Sequence, residues 1–226
     1  MLKRPPSHFL RVTAHWAVLS AALGALLFVA AGRIDIRGLR TYLLTFSGLL
    51  LATMLAARPD LVEERFHTAE AKVDDAARLA SGFLFLVTLT AAALDVGRLH
   101  ASDTVPWAVR MASLITFALA GLTQAWAMAV NPFFSPAVRI QAERGHHLVT
   151  GGPYRMIRHP GYLAMLISVP ASALAIGSWL ALIPGLTFSG VITRRAAIED
   201  DFLKLNLPGY ATYARAVRCR LVPSIW

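Results

Sequence analysis

Two polar stretches of the chain carry the residue types from which an active site could be built. The first, QAERGHHLVTGGPYRMIRHPGY at 141–162, combines histidine, arginine and tyrosine with repeated Gly/Pro turns, which is unusual for a connector. The glycines of GGPY permit positive φ and Pro153 fixes its own φ, so this tetrapeptide should turn sharply. Pro160 suits the first turn of a helix, which leaves Arg158 and His159 just outside it. Free backbone N–H groups at such a helix start can receive an anionic group.

The second stretch, TRRAAIEDDFLKL at 193–205, places acids and bases on one predicted helix. At helical spacing Arg195 and Glu199 lie four residues apart and share a face, whereas Asp200 and Asp201 lie to one side. The pair is either part of a site or only an intrahelical salt bridge, which at a surface contributes a few tenths of a kcal/mol.

Apolar segments must position these stretches. Hydrophobic residues make up 56% of the 226 residues and charged residues only 15%, which indicates a bilayer as the solvent. Four segments are long and apolar enough to span a membrane, and they cover residues 15–31, 39–57, 79–96 and 105–130.

The apolar stretch 161–193 is too long for one span and short for two, and it predicts a tight helical hairpin. Its expected breakers are Pro170, Gly177, Pro184 and Gly185. A hairpin returns the chain to its starting side, so the two polar stretches should meet at one membrane surface. The sequence therefore predicts an all-α integral membrane protein with about six transmembrane helices, formed by four spans and the hairpin, and a cytoplasmic helical C-terminal tail.

The Lys and Arg residues orient this arrangement. With the N-terminus in the cytoplasm, 17 of the 22 Lys and Arg residues fall in cytoplasmic segments and five fall on or near outer loops. The positive-inside rule favours this choice, which places both termini and the site at the cytoplasmic face of a cell membrane, expected to be a bacterial inner membrane. The net charge of +9 is then largely a topological signal, and nucleic acid is not an expected partner.

The chain divides into a four-span region at 1–130 and a core at 131–226, which together form one structural domain. The cytoplasmic connector 58–78 alternates acids and bases with apolar residues at helical spacing, and it predicts either an interfacial helix or a solvated linker. In the tail, Tyr210 and Tyr213 are interpreted as anchors at the level of the lipid headgroups.

Metal and disulfide chemistry find little support in the sequence. The histidines His146, His147 and His159 lack an accompanying Asp/Cys ligand set, and the single cysteine, Cys219, has no second cysteine to pair with. We predict no metal site and no disulfide.

Taken together, the two stretches resemble a known family. HHLVTGGPYRMIRHPGYLAM, followed by R-x-x-x-E-D-x-x-L and then by Y-x-x-Y and RLVP, is similar to the isoprenylcysteine carboxyl methyltransferases, within the wider phospholipid methyltransferase group. The resemblance covers about residues 131–226. It implies S-adenosylmethionine as methyl donor, bound between the RHP-x-Y loop and the acidic helix. Independently, no strand followed by G-x-G-x-x-G is found that would build a soluble nucleotide-binding domain.

Carried over residue by residue, the resemblance implies two sets of site residues. The cofactor-binding set is Gln141, His146, Leu148, Gly152, Tyr154, His159, Tyr162, Glu199 and Asp200. The catalytic set is Arg158, Arg195 and Glu199, in which the arginines are the substrate candidates. The family usually has two glutamates at the acidic pair; Asp200 shortens one of them, so Glu199 is the better candidate for a direct contact.

The acceptor that the resemblance implies is the carboxylate of an isoprenylcysteine-like, membrane-borne substrate. A carboxylate is already a nucleophile at neutral pH and an Arg fork can orient it, whereas an amine would need Glu199 or His159 as a base. Because the composition looks bacterial, another small lipophilic acid or thiol is an open alternative. Expected partners are a lipophilic or prenylated substrate and membrane lipids, with no obligatory protein partner.

Three other functions stay open. The first is methylation of a phospholipid or another amine, and the second is reduction of a sterol or enone with NADPH, since those reductases also carry an RHP-x-Y-like loop. A transporter ranks below both because the four spans contain almost no ionisable residues.

Overall fold

The computed structural model describes residues 6–56 and 74–222, and the regular structure in these residues is helical. Seven α-helices follow one another there: α1 Pro6–Ala31, α2 Arg37–Ala56, α3 Asp75–Leu94, α4 Trp107–Val130, α5 Pro160–Ile176, α6 Leu182–Asn206 and α7 Tyr210–Ala216. A π-helical turn, Asp95–Leu99, extends α3, and two 3₁₀ turns, Ala142–Arg144 and Gly152–Arg155, lie between α4 and α5. Most of the predicted connector at 58–78 falls outside the described residues.

Four helices are long and apolar enough to cross a membrane: Phe9–Ala31, Arg37–Ala56, Asp75–Leu99 and Trp107–Val130. Large apolar side chains on them face outward, and Val29, Leu44 and Phe83 are 73%, 73% and 67% exposed. A surface of this kind is suited to lipid rather than water. The prediction of an all-α integral membrane protein with four clear spans is confirmed, whereas the count of six stays a prediction.

The helical hairpin is formed by α5 and α6, and its turn lies at Gly177. This glycine has φ +115°, and the N–H groups of Gly177 and Ser178 both donate to the carbonyl oxygen of Ala173. A left-handed glycine just after the last helical residue is a common way to end a helix. Of the four predicted breakers, the other three are wrong, because Pro170 lies inside α5 and Pro184 and Gly185 lie inside α6.

Pro170 is accommodated in α5 by a neighbouring side chain. A proline inside a helix leaves the carbonyl four residues earlier without its N–H donor, and here that carbonyl belongs to Leu166. The hydroxyl of Ser189 on α6 donates to the Leu166 oxygen at 2.8 Å. The hairpin partner thus supplies the missing hydrogen bond, as buried helices in an apolar environment require.

The central helix is α5, which packs most extensively against α4 and also against α2, α3 and α6. Small residues, including Gly161, Ala164 and Ala173, lie on its buried surface, and small side chains let helix backbones approach closely. A Cβ at Gly161 would lie 2.6 Å from the ring of Phe134. The first turn of α5 is therefore fixed against the loop that precedes it.

At the opposite end of the bundle, a buried carboxylate holds the hairpin turn. Asp95, fully buried at the end of α3, accepts the N–H of Ala101 at 2.9 Å and the hydroxyls of Ser102 and Ser178. Ser178 belongs to the turn between α5 and α6. These bonds join α3 to the hairpin at one end of the bundle, and the two polar stretches lie at the other end.

Candidate active site

The long loop between α4 and α5, the start of α5 and the C-terminal half of α6 surround a cavity. Its volume is about 210 Å³, far above the roughly 10–15 Å³ that one water molecule needs. Aromatic side chains form much of its wall: Phe133, Phe134, Tyr154, Tyr162, Tyr210 and Tyr213. The charged side chains of Arg158, Arg195 and Glu199 line it as well. The structure thus brings the two polar stretches together around a space that can hold an organic molecule.

Asp200 is the hub of a buried ionic network beside the cavity. The Asp200 side chain has no exposed surface. Arg158 donates two hydrogen bonds to it, from Nε to Oδ1 at 2.8 Å and from Nη2 to Oδ2 at 3.1 Å. Tyr210 donates its hydroxyl to Oδ1 at 2.8 Å, and His159 Nε2 lies 3.3 Å from the same oxygen. Lys204 Nζ lies 2.7 Å from Oδ2, and Arg220 Nε lies 3.2 Å from the same oxygen.

The network sets the ionisation of Asp200 and Tyr210. Burial alone would raise the pKa of the Asp200 carboxyl, but the hydrogen bonds from His159, Arg158, Lys204 and Tyr210 outweigh it and hold this pKa well below its usual range. Burial and the charge of Asp200 raise the pKa of the Tyr210 hydroxyl well above its ordinary value. At neutral pH Asp200 is therefore a carboxylate, and Tyr210 keeps the proton that it donates to it.

Arg158 also fastens the C-terminal tail. Its Nη1 donates to the carbonyl oxygens of Ala214, Val217 and Arg218 at 3.3, 2.7 and 3.0 Å. The backbone N–H groups of residues 158 and 159 donate to the carbonyl oxygens of residues 219 and 220. The tail therefore occupies the two N–H groups just before the helix, and the predicted anion site at the helix start itself stays a prediction.

Glu199 has a different environment from its neighbour Asp200. It lines the cavity, and its Oε2 accepts the hydroxyl of Tyr162 at 2.6 Å, a bond that crosses the hairpin from α5 to α6. In the described part of the chain, Glu199 forms no ion pair. Its negative charge is thus held in place by a neutral donor and stays available to a bound cation.

Arg195 is paired with a residue far away in sequence. Its Nε donates to Asp74 Oδ2 at 2.6 Å, and both side chains are only 5% exposed. Its Nη2 donates to the carbonyl oxygen of Pro136 at 2.9 Å, and its guanidinium carbon lies 5.7 Å from the centroid of the Tyr162 ring. Within the described residues, the ion pair with Asp74 takes the place of the intrahelical Arg195–Glu199 salt bridge considered from the sequence.

Gln141 shapes the loop wall without reaching the cavity. It is 1% exposed, and its amide donates to the carbonyl oxygen of Phe133 at 2.8 Å and accepts from the guanidinium of Arg144. Its backbone N–H donates to His146 Nδ1 at 3.2 Å, and the His146 ring stacks on Phe133 with 4.5 Å between centroids. Gln141 therefore positions the rings that form one side of the cavity.

The predicted sharp turn at GGPY is confirmed, and Gly152 is the position at which this turn requires a glycine. Its φ is +55°, whereas Gly151 has φ −84°. A Cβ on Gly152 would lie 2.8 Å from Val130 Cγ2 and 3.2 Å from Trp126 Nε1. The turn thus presses the loop against the end of α4.

We expect Gly152→Ala to lower the free energy of unfolding by about 1–3 kcal/mol, because it adds left-handed strain to a steric clash. Gly151→Ala is the matched control, since a Cβ there would meet only Val130 Cγ1 at 3.7 Å, and its effect should stay within about 0.5 kcal/mol. Thermal unfolding of both variants in detergent measures the difference. Equal losses in the two variants would contradict this role for Gly152.

The predicted site residues fall into two groups. Those that line the cavity are His146, Leu148, Tyr154, Arg158, His159, Tyr162, Arg195 and Glu199. Gln141, Gly152 and Asp200 lie outside the wall and hold it through the contacts described above. The roles of all these residues in binding or catalysis stay predictions. In the part of the chain that the structure describes, no group of three or more His, Cys, Asp or Glu side chains is placed to hold a metal ion.

Three residues of the site were missed or misread in the sequence. Tyr210 and Tyr213 are 3% and 7% exposed, so their interpretation as headgroup anchors is wrong. Tyr213 donates its hydroxyl to the carbonyl oxygen of Tyr154 at 2.6 Å, and Tyr210 donates its hydroxyl to Asp200. Their i, i+3 spacing, which puts both rings on one side of a helix, was the available signal. No local signal points to Asp74, which lies 121 residues before Arg195.

Comparison with known proteins identifies the region that forms the site. Residues 112–204, which run from α4 through the loop and α5 into α6, match the sequence model of the isoprenylcysteine carboxyl methyltransferase (ICMT) family. This part of the chain is therefore similar to the ICMT family. The predicted resemblance is confirmed, and the ICMT match begins earlier than residue 131 and ends before the tail. The division at residue 130 stays a prediction.

Two curated relatives are similar to parts of the chain. The nickel-cobalt-cadmium resistance protein NccN of Alcaligenes xylosoxydans xylosoxydans is 31% identical over 131 residues, which is 58% of each chain. The cobalt-zinc-cadmium resistance protein CzcN of Cupriavidus metallidurans is 36% identical over 84 residues, 35% of this chain and 37% of the relative. The aligned part of the chain thus spans no more than 58% of either relative. The four apolar helices and the similarity of residues 112–204 to a family of membrane proteins together indicate an integral membrane protein.

Proposed function

We propose that the chain is an S-adenosylmethionine-dependent methyltransferase that acts on a lipophilic, membrane-borne acceptor. The observation that carries the proposal is the cavity, where the RHP-x-Y loop meets the acidic helix within the ICMT-family region. ICMT-family enzymes use S-adenosylmethionine as methyl donor. The cavity lies at the ends of apolar helices, so an acceptor dissolved in the bilayer can approach it.

The residues of the cavity fit this donor. Its sulfonium and ammonium groups are positive, and Glu199 offers a carboxylate without an ion-pair partner in the described residues. Its adenine ring is flat, and the rings of Phe133, His146 and Tyr154 line the same space. When bound, S-adenosylmethionine supplies a methyl group on positively charged sulfur; transfer breaks the carbon–sulfur bond, leaves its electron pair on sulfur and joins the methyl carbon to the acceptor's lone pair.

The protein's part in this reaction is alignment. An in-line displacement needs the nucleophile, the methyl carbon and the leaving sulfur held in order, and such positioning accounts for most of the expected rate gain. Tyr162 holds Glu199 in one orientation across the hairpin. The Asp200–Arg158 pair fixes the start of α5 against α6 and the tail, so the walls on both sides of the cavity keep their spacing.

For the acceptor we propose a carboxylate, as in an isoprenylcysteine-like lipid or another small lipophilic acid. Arg195 lines the cavity, and within the described residues it gives three of its five donors to Asp74, Ser81 and Pro136, which leaves two for a substrate carboxylate. Arg158 has donors committed from all three of its guanidinium nitrogens. Arg195 is therefore the stronger candidate for orienting the acceptor. Methylation of an amine, with Glu199 or His159 as base, is the alternative.

The distribution of Lys and Arg residues supports a proposal for the side of the membrane on which the reaction takes place. The Lys and Arg distribution favours cytoplasmic termini and a cytoplasmic cavity, with membrane lipids and the lipophilic substrate as partners. The names of the two relatives concern resistance to metal cations and state no reaction. We propose that any such resistance in this protein would act through a methylated product.

A labelled-methyl assay tests the proposal directly. The purified protein in liposomes is given isotope-labelled S-adenosylmethionine and a panel of lipophilic carboxylic acids, amines and thiols, and label transfer is measured for each. We expect saturable binding of S-adenosylhomocysteine and the highest transfer to an acid. Binding of NADPH without binding of S-adenosylhomocysteine would instead support a reductase and overturn the proposal.

A further inference from the structure

We infer that Asp74 is a positioning residue of the active site, which holds Arg195 away from Glu199 so that Glu199 keeps its charge for the bound methyl donor. The inference rests on the proposed function and adds to it a residue from outside the family-matched region. It concerns three charged side chains, on the start of α3 and on α6.

The contact between Asp74 and Arg195 is built as a buried ion pair. The two atoms Asp74 Oδ2 and Arg195 Nε are 2.6 Å apart, and each side chain is 5% exposed. A buried charge without a partner is strongly unfavourable, so each of these groups depends on the other. The neighbouring Asp75 shows the contrast, because it forms a surface pair with Arg78 in which the side chains are 47% and 38% exposed.

Asp74 makes this contact instead of a local one. It is the N-cap residue of α3, a position where aspartate usually accepts a backbone N–H of the first helical turn and so stabilises the helix. Among the described residues, the Asp74 side chain makes no capping hydrogen bond and its carboxylate pairs with Arg195. This indicates that its role lies in the site rather than in starting the helix.

Arg195 has a second carboxylate within reach on its own helix. Glu199 follows it by four residues, the spacing at which arginine and glutamate pair on one helix face. Tyr162 contacts both, since its ring lies under the Arg195 guanidinium and its hydroxyl donates to Glu199. Without the charge of Asp74, Arg195 would be a buried unpaired cation, and pairing with Glu199 would relieve it. Glu199 would then be neutralised by the protein itself.

Binding of S-adenosylmethionine, measured calorimetrically on the full chain in detergent, tests this inference. We expect Asp74→Asn to weaken binding by about tenfold or more, as the loss of one charged contact predicts. Asp75→Asn is the matched control and should leave the affinity unchanged. In a Glu199→Gln background, Asp74→Asn should change the affinity by less than about twofold, because the group it protects is already gone.

Rescue separates positioning from a general structural role. Removing the cation as well, in the double variant Asp74→Asn/Arg195→Met, should restore the affinity to within about threefold of wild type, because nothing then competes for Glu199. If Asp74→Asn alone fails to fold, the double variant can still be measured, because the double variant buries no unpaired charge. Lack of rescue, or wild-type affinity in Asp74→Asn, overturns the inference. Lack of S-adenosylmethionine binding by the wild type overturns the proposed function instead.

Discussion

Replacing Asp200 by asparagine is expected to lower the free energy of unfolding by about 3–5 kcal/mol, because it leaves the buried guanidinium of Arg158 without its counter-charge. Lys204 is partly exposed and can turn to water, whereas the Arg158 side chain is 7% exposed and cannot. Since Arg158 also holds the tail carbonyls, the tail should loosen with it. Thermal unfolding in detergent and proteolysis of the tail measure the two effects.

Asp201→Asn provides the matched control for Asp200→Asn. Asp201 is the next residue of α6, its side chain is 68% exposed, and it pairs with Lys204 at 3.1 Å. A surface pair of this kind contributes about 0–1 kcal/mol. If both variants unfold alike, Asp200 is not the hub that its contacts indicate.

The same residue gives the folded protein an acid dependence of defined sign. Because the pKa of Asp200 is lower in the folded state than its ordinary value near 3.8, its contribution is fully present above that value and is lost as pH falls through the folded-state pKa. Wild-type stability should therefore decline as the pH falls below about 4. Asp200→Asn should decline less steeply over the same range.

Replacing Glu199 by glutamine is expected to weaken the binding of S-adenosylmethionine by about tenfold or more and to lower kcat/KM by at least as much, because the only change is the loss of a negative charge in the cavity. The fold should remain intact, since Tyr162 can donate to the amide oxygen as it does to the carboxylate. Calorimetric titration and the labelled-methyl assay give the two values, and thermal unfolding confirms the fold.

Glu143→Gln makes the same chemical change outside the cavity. Glu143 is 58% exposed and pairs with Arg139 at 2.7 Å, and it does not line the cavity. Its substitution should leave binding within about twofold of wild type. Similar losses in both variants would show that the overall charge of this face, rather than Glu199 itself, attracts the donor.

Periodicity and hydropathy were enough to predict the helices, but not how they end or bend. The first candidate span begins at Phe9, before the predicted residue 15, because the helix continues through polar residues that an apolar count excludes. Pro170 was predicted to break the hairpin, and it does not because Ser189 on the other helix replaces the lost hydrogen bond. Spacing along one chain segment carries no information about such a donor.

Motif spacing predicted which segments meet at the site, but not which charges pair there. Arg158 and Asp200 are 42 residues apart, and Arg195 and Asp74 are 121 apart, so helical spacing could not pair them. Helical spacing made Arg195 and Glu199 a possible salt bridge within one helix. In the folded protein Arg195 pairs with Asp74 instead, and Glu199 accepts the hydroxyl of Tyr162. The charge pattern of the cavity therefore depends on long-range packing.

The bonds made by Arg158 also set an order for biosynthesis. Arg158 leaves the ribosome 42 residues before Asp200 and 60 residues before Arg218, whose carbonyl it also binds. At about 5–20 residues per second, 60 residues take about 3–12 s. During that interval the arginine needs water around it, so the start of α5 must wait at the membrane surface. The end of the bundle that holds the cavity thus assembles last, after the spans α1–α4 have been made.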